Sequence, residues 1–124
     1  MKNVNPVGWF DLYVADLARA KRFYETVFSI QLSDLPPEWG RQAMFPADEQ
    51  GLNISGALVE KTAQHAAGNN TVIYFVTDDC VTEEGRVEAA GGKILQSKMA
   101  IGEYGFMSLV MDTEGNTIGL HSRQ

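Results

Sequence analysis

From Trp9 to Val14 every position but Asp11 is aromatic or aliphatic, a run that suits a strand covered on both faces. The period then changes. Leu17, Ala20, Tyr24, Val27 and Phe28 recur at three- and four-residue steps, and Asp16 stands where it can accept bonds from the free amides of a first helical turn. This stretch predicts a strand feeding an amphipathic helix that folds back over it. Three further strands follow, over 29–35, 41–45 and 52–59, separated by Pro36-Pro37 and by the polar turn 46–51. Gly56 interrupts the last of them, which implies a close approach or a bulge.

The pattern then repeats. Residues 60–70 are polar and read as a linker in which His65 is solvated, and Thr71-Val72-Ile73-Tyr74-Phe75-Val76 is the most β-like run in the chain. Asp78 or Asp79 caps a second helix reaching about Ala90, where Gly91-Gly92 ends it. Gly85 and a sparse apolar stripe make that helix the weaker one. Strands over 93–97, 106–111 and 117–122 complete the second half, with a loop at 99–105 and a tight turn at 112–116. Val76 lies 62 residues after Val14, and Gly119 lies 63 after Gly56, so the two halves share element order and nearly the same register. The expected fold is α+β: one domain over 1–124, made of two βαβββ modules (about 7–62 and 70–122) whose curved mixed sheets surround a cavity.

Composition narrows the function. A net charge of −6 argues against a nucleic-acid or anionic-membrane partner, since both need a basic surface. Cys80 is the only cysteine, which excludes an intrachain disulfide and a cysteine-rich zinc site. The first residues lack an apolar signal core and no window is long enough to cross a bilayer, so a cytoplasmic location is the expectation. No phosphate loop or serine-nucleophile motif is present.

Val14-Ala15-Asp16-Leu17-Ala18-Arg19-Ala20-Lys21-Arg22-Phe23-Tyr24 and Asp112-Thr113-Glu114-Gly115-Asn116-Thr117-Ile118, set in a doubled βαβββ, resemble the vicinal oxygen chelate superfamily of glyoxalases, extradiol dioxygenases and bleomycin-resistance proteins. The resemblance runs from about Gly8 to His121. It implies a cavity between bent sheets, often completed by a second subunit, so a homodimer is expected. In metal-dependent members, it further implies ligands on the first and last strands of each half. Carried over, those positions are Trp9, Thr71, Gly119 and, within about a residue, Gly56. None offers an imidazole or a carboxylate, so no metal and no cofactor is expected.

Strand alternation from position 9 turns Trp9, Asp11 and Tyr13 toward the cavity, with Thr71, Ile73, Phe75, Thr117, Gly119 and His121. Phe10, Leu12, Val14, Val72, Tyr74 and Val76 then face the helices. Asp11 and His121 are the candidate proton-transfer groups, and the candidate ligand-binding residues are Trp9, Asp11, Tyr13, Thr71, Ile73, Phe75, Gly119 and His121. Each has a plain structural alternative: Trp9 and Phe75 as core, Asp11 in an ion pair with Lys or Arg, His121 as a strand-end residue satisfied by backbone. Asp11 and His121 alone lack a third donor for a metal. The acids at 78, 79, 83 and 84 fit helix capping, and Cys80 fits core packing. The reading that follows is a glyoxalase- or bleomycin-resistance-like protein whose metal-independent cavity binds a small organic molecule. The alternatives are a lyase or isomerase acting on a small carbonyl compound, with Tyr13 or Tyr104 as electrophile, and a non-catalytic dimerising module.

Overall fold

A computed structural model describes residues 9–48, 50–52, 54–61 and 71–124, the side chains of Trp39 and Tyr104 excepted. The expected linker and His65 lie outside the described residues for the most part. The first half contains β1 (Phe10–Val14), α1 (Leu17–Phe28), β2 (Ser33–Asp34), β3 (Gln42–Met44) and β4 (Gly56–Glu60). The second contains β5 (Tyr74–Val76), α2 (Cys80–Glu84), β6 (Lys93–Ala100), β7 (Phe106–Met111) and β8 (Thr117–Ser122). Each half forms a mixed four-stranded sheet, in the orders β1-β4-β3-β2 and β5-β8-β7-β6, so the α+β duplication holds. In both, the first strand pairs parallel with the last, and the other ladders are antiparallel.

Several elements are shorter than their sequence signals. Of 29–35 only Ser33–Asp34 pairs as strand, because the chain leaves α1 through Ser29 in the left-handed region, at φ 54°. α2 is helical only over Cys80–Glu84. Hydrogen-bonded turns carry the backbone on to Gly91, as Gly85 and the sparse apolar stripe would suggest. β6 instead runs on to Ala100, with two irregularities in its pairing to β7.

Both helices and one side of each sheet bury a common core, in which Leu12, Val14, Phe23, Tyr24 and Leu58 meet Val87, Val110, Ile118 and Leu120. Phe75 joins the halves. Its ring lies 4.8 Å from Phe28, 5.4 Å from Phe45, 5.9 Å from Tyr24 and 6.1 Å from Phe10, all first-half residues.

Polar groups of the second half hold both ends of α1. The Glu114 carboxylate is fully buried and accepts from the amides of Ala15 and Asp16, each at 2.9 Å, and from Arg19 at 2.6 and 2.8 Å. Glu60 accepts from the Leu17 amide and Asp16 from the Arg19 amide, so the start of the helix is well satisfied. At the other end Arg86 donates to the Val27 carbonyl at 2.9 Å and to the Ser29 hydroxyl. Behind Glu114, buried Asp112 accepts from the Tyr24 hydroxyl at 2.7 Å, from the amides of Glu114 and Asn116, and from Asn116 Nδ2. Asn116 Nδ2 also donates to the Tyr13 carbonyl, which fastens the β7–β8 turn to β1.

Burial alone would raise the Glu114 pKa. The bonds from Arg19, the Asp16 amide, Thr113 and the Ala15 amide outweigh it and hold the group at about 2. A depressed carboxyl stabilises the fold above its unfolded pKa and loses that contribution as pH falls through the folded value. Stability should therefore fall from about pH 5 toward pH 2, by on the order of 2 to 3 kcal/mol from this group. Urea unfolding across that window should show the slope, and Glu114→Gln should flatten it and lower stability at pH 7. Tyr24→Phe removes a donor from buried Asp112 and should cost about 1 to 2 kcal/mol in the same measurement.

Candidate functional site: the open face of the paired sheets

Partners in a ladder share a side of the sheet, so the registers assign faces. In the first half Leu12 pairs with Leu58 on the core side, which puts the pairs Asp11–Ala57 and Tyr13–Val59 on the open side. Trp9 belongs with them, because its indole N–H donates to Asp11 Oδ1 at 3.1 Å. Thus Trp9, Asp11 and Tyr13 turn away from the core as alternation predicted. The partner of Asp11 is this indole and not the Lys or Arg that the structural alternative required.

The second half reverses the expectation. Phe75 pairs with Leu120 on the core side, so Tyr74 with Gly119 and Val76 with His121 are on the open side. Ile73 and Phe75, expected to line the cavity, pack against the core instead, while Tyr74 and Val76 do not face the helix. The cause is a one-residue slip in the alignment of the halves, which exchanges every side chain between faces. The two helix caps are Asp16 and Asp79, 63 residues apart, not 62 as the Val14–Val76 match implied. In the last strands the slip goes the other way: Ala57 and Gly119, each paired with an open-face residue, are the equivalents, and Gly56 lies on the core side beside Phe10.

Phe10 and Phe75 meet on the core side, and Asn116 ties the start of β8 to the end of β1. The two halves therefore touch through core-side rings of β1 and β5. On the open sides of these strands Trp9 is 46% exposed, Tyr13 43%, Val72 37%, Tyr74 48% and Val76 62%. Gly119 and half-buried Thr117 and His121 of β8 adjoin them, and Met107 pairs with His121 from β7. The His121 carbonyl accepts from the Thr77 amide at 2.8 Å. Thr71 is exposed just before β5. Sequence reasoning missed Val72, Tyr74 and Val76. The signal that could have found them is the cap, since choosing Asp79 over Asp78 shifts the whole strand.

With the register corrected, the positions where the family resemblance puts metal ligands are Trp9, Ala57, Val72 and Gly119. Indole, methyl, isopropyl and hydrogen do not fit a divalent ion. Among the described residues, no group of three or more His, Cys, Asp or Glu side chains could hold a metal ion, and no helix is long and apolar enough to cross a membrane.

Two βαβββ modules, each a mixed four-stranded sheet whose first strand runs parallel to its last, packed on a common core, define the class: a paired-module, glyoxalase-like fold. Residues 6–120 match the family model described as the Glyoxalase/Bleomycin resistance protein/Dioxygenase superfamily, and the chain belongs to that family. It is similar to the anthracycline biosynthesis protein DnrV of Streptomyces peucetius, 30% identical over 87% of this chain and 43% of that protein. It is also similar to CFP32 of Mycobacterium bovis, 27% identical over 91% of this chain and 44% of that protein. The chain thus spans less than half the length of these curated relatives. Among solved structures, TnmS3, an antibiotic binding protein from Streptomyces sp. CB03234, shares the fold with a TM-score of 0.72 at 23% identity, each chain fully covered.

Open-face residues should contribute little to folding, in contrast to the residue that joins the halves. Asp11→Asn and Tyr74→Leu are expected to change unfolding free energy by less than about 1 kcal/mol. Phe75→Ala should cost about 2 to 4 kcal/mol. Urea melts of the three variants would check the contrast.

Proposed function

We propose that the open face binds a small organic molecule without the help of a metal ion. The observation that carries this reading is the exposure of Trp9, Tyr13, Val72, Tyr74 and Val76 on the open sides of the two first strands, large apolar side chains of the kind that mark a binding site. Asp11, Thr117 and His121 add a few polar groups on the same side, which is the usual make-up of a small-molecule site. The residues at the four metal-ligand positions support the metal-independent part. The names of two similar proteins, one an antibiotic binding protein and one of anthracycline biosynthesis, point to organic ligands as well. A homodimer belongs to the proposal, because two copies facing each other across a gap would enclose so open a surface.

Isothermal titration of the purified chain against planar aromatic and organic cationic compounds, in EDTA and again with added nickel or zinc, tests this. The expected result is stoichiometric binding that changes less than about twofold between the two buffers, with quenching of indole fluorescence that Trp9→Phe abolishes. A panel that gives neither heat nor quenching overturns the reading. Binding that requires added metal, or metal-stimulated turnover of methylglyoxal with glutathione, would replace it with the lyase alternative.

A further inference from the structure

We propose that Met99, Met107 and His121, brought into one row across three adjacent strands on the open side of the second sheet, form a binding site for a soft monovalent cation, Cu(I). The ladders place them. Met107 of β7 pairs with His121 of β8 on one side and with Met99 of β6 on the other. The next pair along, Ser108 with Leu120, is on the core side, so Met107 and His121 turn outward. Met99 is 44% exposed and the other two are half-buried, so the row can be reached from solvent.

An irregularity in β6 selects the third member. The ladder passes from Gln96–Leu109 to Met99–Met107, three residues along β6 against two along β7. Without the extra residue Lys98 would stand opposite Met107. The bulge turns Lys98 to the helix side instead, where its ammonium meets Asp79 at 2.9 Å and covers the Phe106 ring. A thioether thus occupies the place of an ammonium that would repel a cation. Neighbouring strands lie about 4.8 Å apart, so the ends of the row are roughly 10 Å apart and long side chains can bend in to meet above Met107. Methionine has the flexibility for this, and an imidazole can keep a hydrogen bond on one ring nitrogen while it ligates through the other. The Thr77 amide, donating to the His121 carbonyl at 2.8 Å, holds the backbone at that end.

The donor set names the ion. Two thioethers and one imidazole are neutral ligands, and thioethers select Cu(I) over the divalent ions, which take carboxylates, thiolates or several imidazoles. Such ligands leave the charge of the ion in place, which suits a chain with a net charge of −6. None of the three is at positions 9, 57, 72 or 119, so this is a different site from the one the family resemblance implies. It goes beyond the small-molecule reading and does not depend on it. Met111 supplies the internal contrast: it is on the same side of β7, but its neighbours across the ladders are Thr117 and Lys93.

The test is a calorimetric titration with Ag(I), a redox-stable substitute for Cu(I), at pH 7 in chloride-free buffer, with the methionine methyl signals followed by proton–carbon NMR. A buried thiol on the other side of the sheet could also take a soft ion, so Cys80→Ser is titrated beside the wild type. Both should bind one ion per chain, with the methyl signals of Met99 and Met107 shifted and that of Met111 unmoved. Met107→Leu and His121→Gln should each weaken binding at least about tenfold, and Met111→Leu by less than about twofold. Leucine keeps the volume of methionine, so these variants should fold normally. Zn(II) should bind at least about a hundredfold more weakly than Ag(I). Anaerobic competition for Cu(I) against bathocuproine disulfonate should give the same order of variants. Binding that disappears in Cys80→Ser, that is indifferent to Met107→Leu and His121→Gln, or that is as tight for Zn(II), overturns the proposal. The titration with organic compounds described above is independent of all these outcomes.

Discussion

The buried carboxylate of Glu114 is the interaction on which the geometry depends. It reaches from the β7–β8 turn of the second half to the entrance of the first helix, where two backbone amides and an arginine meet it. A buried charge survives only when it is paired and hydrogen-bonded, and Glu114 is both. With Arg86 at the far end of α1, the second half places an anion at the positive end of that helix dipole and a cation at the negative end. The helix is thus oriented by the other module as well as by its own strand. Asp112, Tyr24 and Asn116 extend the network to the β1 backbone, so the alignment of β1 with the second sheet is set by directional bonds as well as by packing.

That alignment decides what the open face contains. The pairings Asp11–Ala57 and Tyr74–Gly119 are equivalent in the two sheets, and they bring one acid and one aromatic to corresponding places on the first strands of the two halves. A shift of β1 by one residue would bury Asp11 and turn Phe10 to solvent, and a shift of β5 would bury Tyr74 and turn Phe75 out. Phe75 resists the shift, since four first-half rings surround it. The core therefore enforces the register, and the register presents the surface.

Much of this is legible in the residues. The change from strand to helical period at Ala15–Leu17, the doubled element order and the Asp-x-x-Gly-Asn-x-Ile turn are local signals, and all correspond to elements of the fold. Trp9, Asp11 and Tyr13 are legible on the open side because the family resemblance turns position 9 to the cavity and alternation carries that phase along β1. β5 defeats the same method. The five residues from Val72 to Val76 are all aliphatic or aromatic, so the run has no charged position to mark its solvent side. Only the distant cap at Asp79 carries the phase. The role of Glu114 was hidden for another reason: its partners are 95 to 99 residues away, and a glutamate in a tight turn looks like an ordinary surface acid.

The two glycines illustrate why a duplicated fold need not duplicate its chemistry. Gly56 and Gly119 both admit a ring against the backbone, yet one ring completes the core and the other lies on the open face. A matched spacing of 63 residues made them look like one feature repeated, whereas the ladders place them on opposite sides of their sheets. The space beside Gly119 already has an occupant, and a larger side chain there would have to displace the Tyr74 ring. At position 119, therefore, a single substitution meets the Tyr74 ring before it meets solvent or a ligand.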